Sequence, residues 1–154
     1  IGEDTTHLAQ LAPKTWHYLE THSERLDNRG SSIYRGRPRF SIFGVGDYSF
    51  APWKVAISGF YKRLSFRLVG PREGKPVVVD DTAYFLPFQS EDEAQEAVAL
   101  LRSRPAQEFF ESFVFWDAKR PITVELLNRL DLHALAGPVG SAVRTRRPRQ
   151  AVLL

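Results

Sequence analysis

Residues 40–68 read FSIFGVGDYSFAPWKVAISGFYKRLSFRL, and the basic run Arg35-Gly-Arg-Pro-Arg39 directly precedes them. Glycines interrupt this stretch, and apolar and polar residues alternate between the breaks, which is typical of short strands separated by turns. Aromatic residues are frequent in it, and cations lie at its edges. We therefore expect the stretch to form one face of a small sheet, edged with positive charge.

The flanking segments predict the other elements of the fold. Strands are expected at 40–45, 53–58, 64–69, 77–79 and 82–88, and helices at 14–26, from Ser90, from Pro105 and from Thr123 to Leu130. Residues 113–116 suit either a buried strand or an extension of the preceding helix. The order of a helix, several strands and then helices predicts an α+β fold, with a curved, mainly antiparallel sheet flanked by helices at the N-terminal and C-terminal ends.

Length and composition limit the class of protein. The 154 residues, 43% of them hydrophobic, favour a single domain with a real core. We place this domain at 13–136, between a frayed lead-in at 1–12 and a basic Gly/Pro/Arg tail at 137–154. No run of about 18 apolar residues occurs, so no membrane span is expected. The chain has no methionine, as expected for a piece of a longer polypeptide, and its lack of cysteine suits the cytoplasm.

The small net charge of +3 hides a strong asymmetry along the chain. Residues 29–75 carry ten cations and two acids, whereas residues 76–136 carry five cations and eleven acids. A compact segment with so large a positive excess creates a local potential that favours phosphate. The charge pattern therefore points to a nucleic-acid backbone as the partner of the basic segment.

Cations beside aromatic residues are the most informative pattern in the basic segment. Mobile cations bind phosphates, whereas planar side chains and bidentate polar groups contact bases. We predict phosphate contacts from Arg35, Arg37, Arg39, Lys54, Lys62 and Arg63, and add Lys119 and Arg120 as further DNA-binding candidates. Tyr48 and Trp53 are expected either to stack on bases or to pack locally. A solvated face of arginines and lysines is the alternative interpretation.

A second hypothesis is a Mg²⁺-dependent nuclease. Asp117-Ala-Lys119 follows an apolar segment, and a D-x-K triplet with an upstream acid such as Asp80 or Asp81 can hold Mg²⁺ and activate water. The alternative interpretations are purely structural: a local Asp117–Arg120 ion pair, and a turn at 80–82 in which side chains bind backbone amides.

A third hypothesis is a protein-interaction domain that docks on another subunit through the acidic half, 76–136. No metal site is predicted, because cysteine is absent and His17 and His22 are five residues apart, off the helical spacing that would let them share a metal. Nothing in the sequence resembles a Ser–His–Asp catalytic set.

Several blocks of the sequence resemble a known family. They read SSIYRGRPRFSIFGVGDYSFAPWKVAISGFYK (31–62), KPVVVDDTAYFLPF (75–88) and FVFWDAKRPITVELLNRLDL (113–132). These blocks are similar in sequence to the C-terminal target recognition (specificity) domain of bacterial N6-adenine DNA methyltransferases, as found in Taq-like and related restriction–modification enzymes. The resemblance extends over about residues 13–133.

This resemblance implies a domain that docks on double-stranded DNA and selects a sequence. A separate catalytic domain, in the same polypeptide or complex, would transfer a methyl group from S-adenosylmethionine. The family's Asn/Asp-Pro-Pro-Tyr/Phe catalytic tetrapeptide and its S-adenosylmethionine loop are not found in this sequence. The chain by itself is therefore expected to bind DNA, to hold no cofactor and not to be an enzyme.

Overall fold

The computed structural model describes residues 2–136, which divide into two compact units with the boundary between Val45 and Gly46. The assignment of 13–136 to a single domain stays a prediction, and the predicted tail at 137–154 lies outside the described residues. No helix in the described part of the chain has the length and apolarity needed to cross a bilayer.

The first unit is built from short helices. They are α1 (Leu8–Leu11), α2 (Pro13–Thr21) and α3 (Ser23–Asp27), followed by a 3₁₀ turn at Ser32–Tyr34. Helix α2 begins at Pro13 as predicted, because the fixed φ of proline suits the first helical turn. The predicted helix over 14–26 is divided at His22, and part of the lead-in predicted to be frayed is helical as α1.

The strand predicted at 40–45 is wrong. Phe40 adopts a φ of +62°, which an extended strand cannot accommodate, and its ring packs edge-to-face on Trp16 at 5.4 Å between centroids. The alternating pattern instead leaves Ile42 and Phe43 exposed. The burial of Phe40 against a helix therefore overrides the local strand preference, because packing decides the conformation of so short a segment.

An antiparallel sheet is the centre of the second unit. In the described part of the chain it has the strands β1 (Trp53–Ser58), β2 (Arg67–Val69) and β3 (Ala83–Phe88), in the order β2–β1–β3. β1 pairs with β3 along its whole length, from Trp53 opposite Phe88 to Ser58 opposite Ala83. This confirms the predicted α+β class with an antiparallel sheet.

Helices follow the sheet and cover it. Within 2–136 they are α4 (Glu91–Arg102), α5 (Arg104–Phe113), α6 (Val124–Leu127) and α7 (Leu132–Ala136). The Ser90 hydroxyl accepts a hydrogen bond from the Glu93 amide at 3.3 Å, as the capping pattern predicts. The predicted apolar face of α4, which includes Ala94, Val98 and Leu101, is buried in the core cluster with the sheet.

Two other predicted strands are absent from the described residues. Residues 77–79 pair with no strand, and Val78 is exposed. Residues 113–116 form neither a strand nor a long helical extension, since α5 ends at Phe113. Both are short apolar runs, for which hydrophobicity alone does not distinguish a strand from a loop.

The close contact between Gly70 and Trp53 gives a testable prediction. A Cβ atom at Gly70 would overlap the Trp53 ring, so Gly70→Ala forces the indole or the backbone to move. We expect the free energy of unfolding to fall by about 1–3 kcal/mol, measured by urea denaturation followed by circular dichroism. Gly30→Ala is the control, because a Cβ atom on Gly30 would have no neighbour within 4 Å. Equal effects of the two substitutions would contradict this contact.

Candidate nucleic-acid interface

Arg35 and Arg37 are the exposed cations of the first unit that fit the predicted phosphate contacts. They follow the 3₁₀ turn, and Gly36 between them has a φ of +66°, so the chain reverses locally at this point. Neither arginine forms an ion pair within the described residues. Both side chains therefore keep their charge available to an external anion.

Arg39 has a different environment. Its guanidinium binds Glu20 at 2.8 Å and Asp27 at 2.9 Å, and it lies 4.6 Å from the centroid of the Phe40 ring. The hydrogen bond to Asp27 raises the pKa of Arg39 above its ordinary value. Because two carboxylates already balance its charge, Arg39 joins the loop to the helices of the first unit and is a weaker phosphate ligand than Arg35 or Arg37.

Lys54 does not fit its predicted role. Only 1% of this residue is exposed, and its Nζ donates a hydrogen bond to the Ala51 carbonyl at 2.6 Å. The ammonium also lies 5.6 Å from the centroid of the Phe85 ring, and burial lowers its pKa. A lysine in a buried position of β1 cannot reach a phosphate in this conformation. The prediction that Lys54 contacts DNA is therefore corrected.

Tyr48 and Trp53 take the local packing role that was one of their two predicted uses. The Tyr48 ring lies 6.0 Å from the Phe85 ring, and a Cβ at Gly46 would come within 2.9 Å of it. Trp53 packs on Gly70 and against the core cluster. Both rings are half-buried, so stacking on a base would require them to leave these contacts.

Residues 59–63, which we name the aromatic loop, leave β1 and turn into solvent. The Gly59 amide donates to the Thr82 carbonyl at 3.0 Å, and a Cβ on Gly59 would lie 2.8 Å from the Tyr84 ring. Only glycine can therefore end the strand this close to Tyr84. The side chains that follow line an open hollow of about 320 Å³: Phe60, Tyr61, Lys62 and Arg63.

Aromatic rings and cations are brought together at the aromatic loop. Tyr61 is 61% exposed and Phe60 is 37% exposed. The guanidinium of Arg63 lies 5.7 Å from the centroid of Tyr61, and that of Arg120 lies 4.4 Å from the centroid of Phe60. The structure thus places Lys62 and Arg63 on the aromatic loop and Arg120 over one of its rings, and all three are predicted DNA contacts.

The two exposed rings are the residues that the sequence-based site prediction missed. Phe60 and Tyr61 belong to the quoted stretch, but a single sequence does not show which of its aromatic residues are core. The sequence does contain an indication that these rings are exposed. In the run Gly-Phe-Tyr-Lys-Arg, two aromatic residues lie between a glycine and two cations. Cations on one side and a turn on the other favour a loop, and aromatic rings in a loop are less often buried.

The geometry around Asp80 and Asp81 favours the turn interpretation. The Asp80 carboxylate accepts hydrogen bonds from the hydroxyl and amide of Thr82, and these lower its pKa. Asp81 lies 3.8 Å from the Arg120 guanidinium, so Arg120 pairs with Asp81 and not with Asp117. Over 2–136, no group of three or more acidic or histidine side chains could hold a metal ion. The nuclease hypothesis gains no support here and stays a prediction.

The acidic half, 76–136, exposes aromatic rings of its own. Phe115 is 80% exposed, and Phe113 is partly exposed beneath the guanidinium of Arg129, which lies 5.2 Å from its ring centroid. Nothing in the described residues identifies what would cover these rings. The protein-interaction hypothesis for this half therefore also stays a prediction.

Comparison with known proteins identifies a relative of high similarity. Over 136 residues, 88% of this chain, the sequence is 58% identical to the Type II methyltransferase M.NspV of Nostoc sp. (strain ATCC 29411 / PCC 7524). The chain spans 28% of the length of that protein. No protein-family model and no solved structure matches the chain. The chain is therefore homologous to a part of a Type II methyltransferase, as the resemblance in its sequence indicates.

Proposed function

We propose that this chain is the target recognition part of a DNA methyltransferase and binds double-stranded DNA sequence-specifically. The observation that carries the proposal is the 58% identity to a part of a Type II methyltransferase, in a segment that holds a strongly basic region. A catalytic domain elsewhere in the polypeptide or complex would methylate adenine at N6. We propose a cytoplasmic location, where the chain would meet its DNA.

The exposed cations define how the chain would bind. Arg35 and Arg37 in the first unit, and Lys62 and Arg63 in the second, form no ion pair within the described residues. Each cation that neutralises a phosphate releases condensed counterions, so affinity falls as salt rises. These four side chains are therefore assigned to the phosphate backbone, which fixes the position of the protein without reading sequence.

The hollow at the aromatic loop does not suit S-adenosylmethionine. The hollow at the aromatic loop is lined by Lys62 and Arg63 and by two rings, and none of its lining side chains is a carboxylate. A positive site repels the sulfonium of this cofactor and offers no carboxylate to its ribose hydroxyls. The cofactor is accordingly assigned to the catalytic domain, and the isolated chain is expected to transfer no methyl group.

The proposal predicts the salt dependence of DNA binding. Binding of the chain to a labelled random-sequence duplex is measured by fluorescence anisotropy between 50 and 200 mM salt (about the range over which phosphate contacts change affinity strongly). The double variant Arg35→Gln/Arg37→Gln is expected to reduce the slope of log K against log salt by about 1.8, and the affinity by about tenfold or more. The variant Lys62→Gln/Arg63→Gln should do the same.

A matched control removes two positive charges from other elements. Arg25 lies on α3 and Arg104 begins α5, where it pairs with Glu108 at 2.6 Å. The variant Arg25→Gln/Arg104→Gln has the same net charge as the test variants and should keep the slope of the unmodified chain. If all three double variants lower the slope equally, the effect is one of net charge and the assignment of the four cations is wrong. Absence of binding at the lowest salt would refute the proposed function.

A further inference from the structure

We infer that the aromatic loop is a binding site for an unstacked DNA base, which stacks on the Tyr61 ring while Lys62 and Arg63 bind the phosphates beside it. This inference rests on the proposed function and adds to it a ligand class for one loop. It concerns the conformation of the DNA that the chain prefers, a property separate from phosphate binding.

The exposure of the two rings is the first support. Large aromatic side chains favour burial in a core or an interface. Here Phe60 and Tyr61 follow one another at the end of a strand, and Tyr61 leaves 61% of its surface exposed. Arg120 lies over the Phe60 ring at 4.4 Å, and Arg63 lies farther from the Tyr61 ring, at 5.7 Å from its centroid. Tyr61 lines a hollow of about 320 Å³. A ring in this position can contact a planar ligand without any loss of core packing.

The neighbouring charges indicate that the planar ligand carries phosphate. Lys62 and Arg63 line the same hollow as the rings and form no ion pair within 2–136, whereas Asp81 lies 3.8 Å from Arg120. A groove that combines cations for the backbone with aromatic rings for bases is how proteins hold single-stranded nucleic acid. The aromatic loop has both components within four consecutive residues.

The ligand must be an unstacked base and not a base in an intact helix. In a B-form duplex the faces of each base are covered by its neighbours, and only the edges are accessible in the grooves. The Tyr61 ring can therefore stack only on a base that has left the helix. Unstacking costs least where a base lacks a partner, so duplexes with an unpaired base should bind most tightly.

The experiment compares two duplexes that differ in one nucleotide. One is fully paired, and the other carries a single extra 2-aminopurine as a bulge, whose fluorescence is quenched when an aromatic ring stacks on it. The unmodified chain is expected to bind the bulged duplex about tenfold more tightly and to quench the 2-aminopurine. Tyr61→Ala should remove both the preference and the quenching, and Tyr61→Phe, which keeps the ring, should retain both.

Tyr18→Ala is the matched control, because Tyr18 is 63% exposed and lies on α2 in the first unit. It should leave the preference for the bulged duplex unchanged. Equal affinity for the two duplexes, or a preference that survives Tyr61→Ala, overturns the inference while leaving the proposed function intact. Failure to bind either duplex at low salt overturns the proposed function as well.

Discussion

Replacing Phe110 with alanine is expected to lower the free energy of unfolding by about 3–5 kcal/mol. Phe110 lies on α5, is 0% exposed, and packs its ring 5.6 Å from the Phe66 ring and 5.8 Å from the Phe109 ring. Removing a ring from so enclosed a place loses its transfer free energy and leaves a cavity that the surroundings fill only in part. Urea denaturation followed by circular dichroism measures the loss.

Phe115→Ala is the control for this prediction, since it makes the same chemical change two residues beyond the end of α5. Phe115 is 80% exposed, and its removal should change the free energy of unfolding by no more than about 0.5 kcal/mol. Similar losses for the two variants would mean that α5 does not bury Phe110 as described.

The elements that sequence predicts well are those with a strong local signal. Ser90 and Glu93 mark the start of α4, and Thr123 caps α6 by accepting a hydrogen bond from the Leu126 amide at 3.2 Å. A cap satisfies backbone groups within one turn, so a few residues are enough to specify it. β1 and β3 are similarly evident, because residues 53–58 alternate and both segments are bounded by turn residues.

Other features depend on contacts that no local pattern contains. Phe40 is placed in a left-handed conformation beside Trp16, which lies 24 positions earlier in the chain. Arg39 is paired with Glu20 and Asp27, so it is less available than Arg35, although the two look equivalent in the sequence. Partners distant in sequence decide both cases, and a single sequence does not identify them.

Only part of the candidate site could be predicted from the sequence. Clustered charge indicated the segment, and the structure leaves Arg35, Arg37, Lys62 and Arg63 exposed. Which aromatic rings face solvent depends on where β1 ends, and Gly59 decides this through its close approach to Tyr84. The run Gly-Phe-Tyr-Lys-Arg favours a loop, but the exposure of its two rings is established only by the position at which β1 ends.

Replacing Lys54 with methionine is expected to change how stability depends on pH. Burial lowers the folded-state pKa of Lys54 below its ordinary value of 10.5. At pH values between the lowered pKa of the folded chain and 10.5, the unfolded chain binds more protons than the folded chain. The unmodified protein therefore gains stability as pH rises through this window. Below the folded-state pKa, the full cost of burying the ammonium remains.

The methionine variant lacks this titration. Its stability relative to the unmodified chain should therefore be greatest near neutral pH and should shrink as pH rises toward 10.5, by about 1.4 kcal/mol for each unit of pKa lowering. Urea denaturation at a series of pH values measures the difference between the two proteins. A difference that does not change over this range would mean that Lys54 is not buried as described.

The same variant separates an internal role of Lys54 from a role at the DNA. Because the ammonium binds the Ala51 carbonyl and is almost wholly buried, Lys54→Met should leave the slope of log K against log salt unchanged. Lys62→Gln/Arg63→Gln, which removes exposed cations from the following loop, should lower it by about 1.8. A fall of about 0.9 for Lys54→Met would instead show that Lys54 leaves its buried position to neutralise a phosphate when DNA binds.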